Sequence, residues 1–271
     1  MGKKIEEEKE KEMSFLDHVE ILRWHLIRST GVIFLFAIGA FIMKDFIFNK
    51  ILFAPKDAEF ITYRFFCNVS KLFGAEGLCI DDIPFTFQSL AMAEQFSVHI
   101  WTSITVGFIV AFPFIIWEFW KFISPGLYEK ERKGAVLFII ISSFLFFIGV
   151  LFGYYVVTPL SVNFLGNYSV SEVVERNITL GSYISLVRSS SLASGLIFEL
   201  PIVMFFLTKM GLITPEFLKK YRKHALVVVL ILAAIITPPD IISQVIVGIP
   251  IMILYEVSIS ISKMVIKRER K

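Results

Sequence analysis

Long apolar runs alternate with shorter polar segments along most of the chain. An α-helix rises 1.5 Å per residue, so about 20 apolar residues are needed to cross roughly 30 Å of hydrocarbon. Runs of this kind are typical of transmembrane helices rather than of soluble cores. The pattern therefore predicts an all-α polytopic membrane protein with six transmembrane helices. The six runs are Leu26–Met43, Val98–Ile123, Ala135–Val157, Ser189–Leu212, Ala225–Ile236 and Ile241–Val265.

The fifth run is shorter than the others. Ala225–Ile236 corresponds to about 18 Å of helix, and only Thr237–Asp240 separates it from the sixth run. We therefore predict short fifth and sixth helices, which thin the bilayer locally or lean within the protein. Three prolines, Pro113, Pro201 and Pro250, fall inside runs, where membrane helices tolerate them because neighbouring groups satisfy the freed carbonyls.

Basic residues predict the orientation, because short cytoplasmic loops carry an excess of lysine and arginine. The loops after the second and fourth runs, the segment before the first run and the tail after the sixth run are basic, whereas Thr237–Asp240 has no basic residue. Both termini and the second and fourth loops are therefore predicted to be cytoplasmic. The basic residues are Arg23, Arg28, Lys130, Arg132, Lys133, Lys219, Lys220, Arg222, Lys223, Lys267, Arg268, Arg270 and Lys271.

Composition supports a membrane protein. The 271 residues are 56% hydrophobic and only 19% charged, with a mean hydropathy of +0.72, whereas a soluble domain has about a quarter charged residues. The net charge of +3 is too small to indicate a nucleic-acid partner. Residues 1–14 read as a charged cytoplasmic tail without the apolar core of a signal peptide, residues 15–266 as the six-helix domain and residues 267–271 as a basic tail.

The first loop, about residues 44–97, contains both cysteines of the chain, Cys67 and Cys79. Its several lysines do not oppose a periplasmic location, because long loops are translocated largely regardless of charge. In an oxidising periplasm the two cysteines could form a disulfide, or they could remain as two thiols. The sequence leaves both possibilities open.

Polar residues within the apolar runs are candidates for function. Glu199 lies near the middle of the fourth run, where an acid costs about 2.5–3.5 kcal/mol to insert and usually faces protein or water. Its structural alternative is a protonated carboxyl group bonded to a neighbouring helix. Asp240 and Gln244 are separated by one helical turn, which places them on one face, and Asp240 could equally be a helix N-cap.

No residue pattern indicates an enzyme, a cofactor or a metal site. The four histidines are scattered without the spacing of zinc ligands, and the chain has no phosphate-binding P-loop motif. A secondary transporter of a small solute that uses Glu199 is the main alternative function. It would be expected to show an internal repeat, which we do not find in the sequence.

Four ordered motifs resemble the TatC family, and the resemblance extends from Phe15 to Lys267. They are FLDHVEILRWHLIRS (Phe15–Ser29), FWKFISPGLYEKERK (Phe119–Lys133), FELP (Phe198–Pro201) and TPPDIISQ (Thr237–Gln244). The resemblance implies the core subunit of the twin-arginine protein translocase. Such a subunit binds twin-arginine signal peptides of folded precursors and works with the single-span subunits TatB and TatA. It also self-associates in a multi-copy complex in the bilayer, and the proton-motive force drives export of the precursors.

The resemblance also implies roles for individual residues. Phe122 and Glu131 match loop positions associated with signal-peptide binding, and Arg23 matches a further characteristic position. The family often has a glutamate at the position of Ile21, so Glu20 is only a weak candidate for that role, because one step along a helix rotates a side chain by about 100°. The remaining matches are Glu199, Asp240 and Gln244 as polar or partner-contact positions, and Pro55, Pro125 and Pro201 as structural positions.

The chemistry of arginine recognition fits the cytoplasmic loop independently. A guanidinium donates two parallel hydrogen bonds to a carboxylate, which lysine cannot reproduce. Glu129 and Glu131, with Phe122 nearby in sequence, offer acids beside an aromatic side chain. From spacing alone, the two acids could equally balance the basic residues of a solvated loop.

Overall fold

The computed structural model describes residues 15–72, 85–124, 135–171, 177–237 and 241–269, with the side chains of 15–18, 72, 135, 241, 242, 268 and 269 left out. Several sequence predictions lie outside these residues: the 1–14 tail, the end of the basic tail and the residues Cys79, Pro125, Glu131 and Asp240.

The described chain is predominantly helical, as predicted, with one pair of three-residue strands that the sequence did not indicate. In chain order the elements are α1 (Phe15–Ile42), α2 (Lys44–Phe46), a π-helical segment (Ile47–Leu52), a 3-10 turn (Ala54–Lys56), α3 (Ile61–Leu72), β1 (Thr86–Gln88), α4 (Glu94–Ile123), α5 (Ala135–Phe152), a π-helical turn (Gly153–Val157), α6 (Thr158–Asn167), β2 (Asn177–Thr179), α7 (Leu180–Phe198), α8 (Leu200–Lys209), α9 (Pro215–Lys220), α10 (Arg222–Ile236) and α11 (Ile241–Glu269).

Five helical stretches among the described residues are long and apolar enough to cross a membrane: Val19–Ile42, Glu94–Ile123, Val136–Asn167, Leu180–Lys209 and Ser243–Lys267. Many of their large apolar side chains are exposed, as lipid-facing residues are. Pro113 and Pro250 lie inside continuous helices, whereas Pro201 follows a break between α7 and α8.

The predicted short sixth helix is wrong. The fifth predicted helix, α10, has only 15 residues, or about 22 Å, but α11 has 29. The tight connection shortens only α10. Helix α11 continues beyond the apolar run to Glu269. The long side chains of Lys263 and Lys267 can reach an interface while their stems cover apolar surface.

Close approaches between backbones hold the long helices together. A Cβ atom added to Gly107 of α4 would lie 2.7 Å from the backbone of Ala37 and Ile33 in α1. A Cβ atom added to Gly153, just after α5, would lie 2.5 Å from the carbonyl oxygen of Ser190 in α7. Glycine therefore allows α1 to pack on α4 and α5 to pack on α7 at distances that a larger residue would prevent.

One end of the helices is covered by a cap, formed by residues 44–72, 85–93, 158–171 and 177–179. Its strands β1 and β2 are parallel, with Phe87 opposite Ile178. The Tyr63 hydroxyl donates to the carbonyl oxygens of Pro55 (2.9 Å) and Pro159 (3.0 Å), which ties α3 to the start of α6. The opposite end, the basic side, carries the start of α1, the end of α4 and α9, with the exposed residues Arg23, Lys121, Lys220 and Arg222.

Candidate functional site

A buried acid, Glu118, lies on the basic side where α4 packs against α1. Its side chain is 2% exposed, and its Oε2 is 2.7 Å from Nδ1 of His25 in α1. Its Oε1 accepts a hydrogen bond of 2.7 Å from Nζ of Lys121, and Arg28 lies 3.9 Å from Oε2. We call these four residues the Glu118 cluster. Its three basic side chains compensate the burial of one carboxylate.

The local sequence explains this arrangement. Lys121 is one helical turn after Glu118, so both lie on the same face of α4, and its Nζ also lies 4.0 Å from the ring centroid of Trp117. The antiparallel packing of α1 and α4 brings His25 to the same level. Sequence reasoning missed Glu118 and His25. The sequence did contain an indication of Glu118, because this residue is an acid within the apolar stretch FIIWEFW. The same criterion, an acid inside an apolar run, identified Glu199.

One predicted peptide-binding residue, Phe122, contacts this cluster. Phe122 is half-buried, and its ring meets that of His25 edge-on, with 6.2 Å between the centroids. Arg23 and Glu20 are exposed on the first turns of α1. Glu131 lies outside the described residues, so its position relative to Phe122 stays a prediction.

Glu199 lies at the break between α7 and α8 and is 8% exposed. Its Oε2 accepts a hydrogen bond of 2.7 Å from the Ser142 hydroxyl of α5, while its Oε1 has no hydrogen-bond partner among the described residues. Pro201 follows in the first turn of α8, and its ring favours a helix start there. A buried carboxyl with one unused oxygen can accept a further donor.

Gln244 joins the two last helices. Its Nε2 donates a hydrogen bond of 3.0 Å to the carbonyl oxygen of Leu230, which links α11 to α10. Asp240, predicted to share its face, lies outside the described residues. Near the basic side, Arg222 of α10 and Glu256 of α11 form an exposed ion pair of 2.7 Å, which joins the same helices a second time.

The predicted structural residue Pro55 lies in the cap. Pro55 is buried, and its carbonyl oxygen accepts from Tyr63, whose burial raises the pKa of its hydroxyl above the ordinary value. Glu94, at the start of α4, accepts from the backbone N–H groups of Gly181 (2.8 Å) and Leu90 (2.9 Å). Within the described ranges, no group of three or more His, Cys, Asp or Glu side chains could hold a metal ion.

Comparison with known proteins adds an independent line of evidence. Residues 17–250 match the family model of the Sec-independent protein translocase protein TatC. The TatC protein of Blattabacterium sp. subsp. Periplaneta americana is 43% identical over 95% of this chain and 98% of its own length. The TatC protein of Halalkalibacterium halodurans is 32% identical over 97% of this chain and 94% of its own length. The crystal structure of a TatC twin arginine translocase receptor superposes with a TM-score of 0.68 at 32% identity, covering 92% of this chain and 99% of the solved chain.

Proposed function

Because the chain belongs to the TatC family of Sec-independent protein translocases, which are non-enzymatic transport subunits, we propose that it is the receptor subunit of a twin-arginine translocase. It is a multi-pass membrane protein, and in this proposal it binds the twin-arginine signal peptide of folded precursors. The observation that carries the proposal is the similarity to a solved TatC receptor over 92% of the chain.

In the proposed topology the chain crosses the bacterial inner membrane six times, with both termini and the basic side in the cytoplasm. The concentration of lysine and arginine in the second and fourth loops supports this orientation. The sixth crossing requires α10, whose 15 residues span about 22 Å, so the bilayer is thin beside it. The cap then faces the periplasm, where Cys67 and Cys79 can form a disulfide.

The proposed peptide-binding site combines Glu131 of the second loop with Phe122 and the start of α1. Glu131 supplies a carboxylate for bidentate bonding to a guanidinium, and Phe122 supplies an aromatic surface beside it. Exposed Arg23, with Glu20 as a weaker candidate, completes the site from α1. The half-buried ring of Phe122 and the exposure of both α1 side chains support this role, since a bound peptide must reach them.

A second proposed surface contacts the single-span partners TatB and TatA. Glu199, with one carboxylate oxygen unpartnered among the described residues, and Gln244, at the junction of two helices, are the residues assigned to it, together with Asp240. An unsatisfied acid at membrane depth is costly, which favours a partner helix that donates to it. Export is then driven by the proton-motive force, with several copies of this chain in one complex.

The test measures binding of a labelled signal peptide to the purified full-length protein in detergent, in twin-arginine and twin-lysine versions. We expect a preference of at least about tenfold for twin arginine, which is about 1.4 kcal/mol. Glu131→Gln should remove the preference, and Glu129→Gln, a change of the same kind two residues earlier, should retain it. Equal or absent binding of both peptides to well-folded protein would contradict the receptor function.

A further inference from the structure

We propose that Glu118 and His25 form a positioning pair that holds Phe122 and the first turns of α1 in the geometry that binds the signal peptide. The inference rests on the proposed receptor function. It gives Glu118 and His25 a role in that function that the motif comparison did not give them. Neither residue needs to touch the peptide. The pair acts through the side chains that surround it.

Glu118 cannot itself serve as the receptor for an arginine in this arrangement. Both of its carboxylate oxygens are occupied, Oε1 by Lys121 and Oε2 by His25, each at 2.7 Å, and the side chain is 2% exposed. A peptide guanidinium would have to displace two charge-assisted hydrogen bonds in a buried position. The bonds instead fix the carboxylate, and the carboxylate fixes the imidazole.

The imidazole in turn contacts Phe122. The two rings meet edge-on with 6.2 Å between their centroids, the separation and geometry of a favourable aromatic pair. Phe122 is also one turn after Glu118 on the same face of α4. The orientation of Phe122 therefore depends on a ring from another helix that Glu118 holds in place.

The same pair anchors the start of α1. Of the ten described side chains from Val19 to Arg28, only His25 is not exposed, with 15% of its surface accessible. The first turns of α1 therefore have little other side-chain burial to hold them against α4. Arg23 lies two residues before His25 in the same helix, so the backbone position of Arg23 follows from the same contact.

A matched control exists between two other helices on the basic side. The Arg222–Glu256 ion pair has the same length, 2.7 Å, and joins α10 to α11 instead of α1 to α4. Both of its side chains are exposed. Its loss removes an interhelical ion pair from the same side of the protein without touching Phe122 or α1.

The experiment measures the affinity of the full-length protein in detergent for the twin-arginine peptide, with thermal unfolding as the folding control. We expect Glu118→Ala and His25→Ala each to weaken binding at least about tenfold, equal to about 1.4 kcal/mol. Glu118→Gln should stay within about threefold of wild type, because its amide can bond both Lys121 and the His25 ring. Glu256→Ala should leave the affinity unchanged.

A double-mutant cycle tests whether the pair acts through Phe122. Phe122→Leu removes the ring contact but keeps an apolar side chain, and in this background Glu118→Ala should cause much less than its tenfold loss, since coupled residues are not additive. The proposal would be overturned by additive losses of affinity in the double mutant or by unchanged affinity in Glu118→Ala. It would also be overturned by equal losses of affinity in Glu118→Gln and Glu118→Ala. Absent binding by the wild-type protein would instead reject the receptor function itself.

Discussion

The Ser142 hydroxyl donates a hydrogen bond of 2.7 Å to Glu199, joining α5 to the break between α7 and α8. Both side chains are buried, and the bond satisfies one of the two carboxylate oxygens of Glu199. The neighbouring Ser143 is also buried, but its hydroxyl has no partner in the described part of the chain. The two adjacent serines therefore offer a direct comparison of a bonded and an unbonded hydroxyl.

We expect Ser142→Ala to destabilise the protein by about 1–3 kcal/mol, because it leaves a buried carboxyl without its donor. Ser143→Ala removes a hydroxyl of the same size without breaking a described hydrogen bond and should cost much less. Thermal unfolding of both variants in the same detergent measures the difference. Equal destabilisation by the two substitutions would show that the Ser142–Glu199 hydrogen bond makes no specific contribution to stability.

Replacement of Glu199 separates its structural role from its proposed role in transport. Glu199→Gln keeps an acceptor for Ser142, whereas Glu199→Ala removes it, so the glutamine variant should be the more stable one. We expect export of twin-arginine precursors to fall at least about tenfold in both variants, with membrane levels of the protein near normal. The assay compares exported precursor with the amount of the variant in the membrane. Normal export in both would exclude Glu199 from the transport step.

The packing of α5 on α7 predicts a strong response to a single methyl group. A Cβ atom at position 153 would lie 2.5 Å from the backbone oxygen of Ser190, so Gly153→Ala must push the two helices apart. Overpacking of this kind costs about 1–3 kcal/mol. Gly31→Ala is the matched control, because a Cβ atom there meets nothing within 4 Å. A loss of thermal stability in Gly153→Ala but not in Gly31→Ala is the expected result.

The proposed Cys67–Cys79 disulfide can be tested in the intact protein. Cys67 lies on α3 in the cap, and Cys79 lies outside the described residues. If the cap faces an oxidising periplasm, denatured wild-type protein should react with a maleimide only after reduction. Cys67→Ser should expose one reactive thiol, that of Cys79, without reduction. Labelling of two thiols in unreduced wild-type protein would contradict the disulfide.

The sequence predicted the helical membrane architecture because a helix that faces lipid requires a long run of apolar residues, which is visible in the sequence. It also drew attention to Glu199, since an acid at membrane depth stands out in such a run. It did not reveal the Glu118 cluster, although Glu118 met the same criterion, because its significance depends on a histidine 93 residues away in sequence. The length of α11 was misjudged because its short connection to α10 was taken to shorten both helices.

The contacts of the cap could not be predicted from the sequence, because they join segments far apart in the chain. They also use backbone carbonyl groups, which every residue has, so they leave no pattern of residue types. Tyr63 makes two of these contacts, and its substitution tests their contribution to stability. Its hydroxyl lies 2.9 Å from the carbonyl oxygen of Pro55 and 3.0 Å from that of Pro159, 96 residues away in the chain.

Tyr63→Phe keeps the ring and removes only the hydroxyl group. The carbonyl oxygens of Pro55 and Pro159 then lose their hydrogen-bond donor, so we expect the protein to be destabilised by about 1–3 kcal/mol. Tyr168→Phe, at an exposed tyrosine next to α6, should have little effect. Since the hydroxyl of Tyr63 lies far from the Glu118 cluster, we expect signal-peptide affinity to be unchanged in folded Tyr63→Phe protein. A loss of affinity without a loss of stability would instead indicate that the cap influences the peptide-binding side across the membrane.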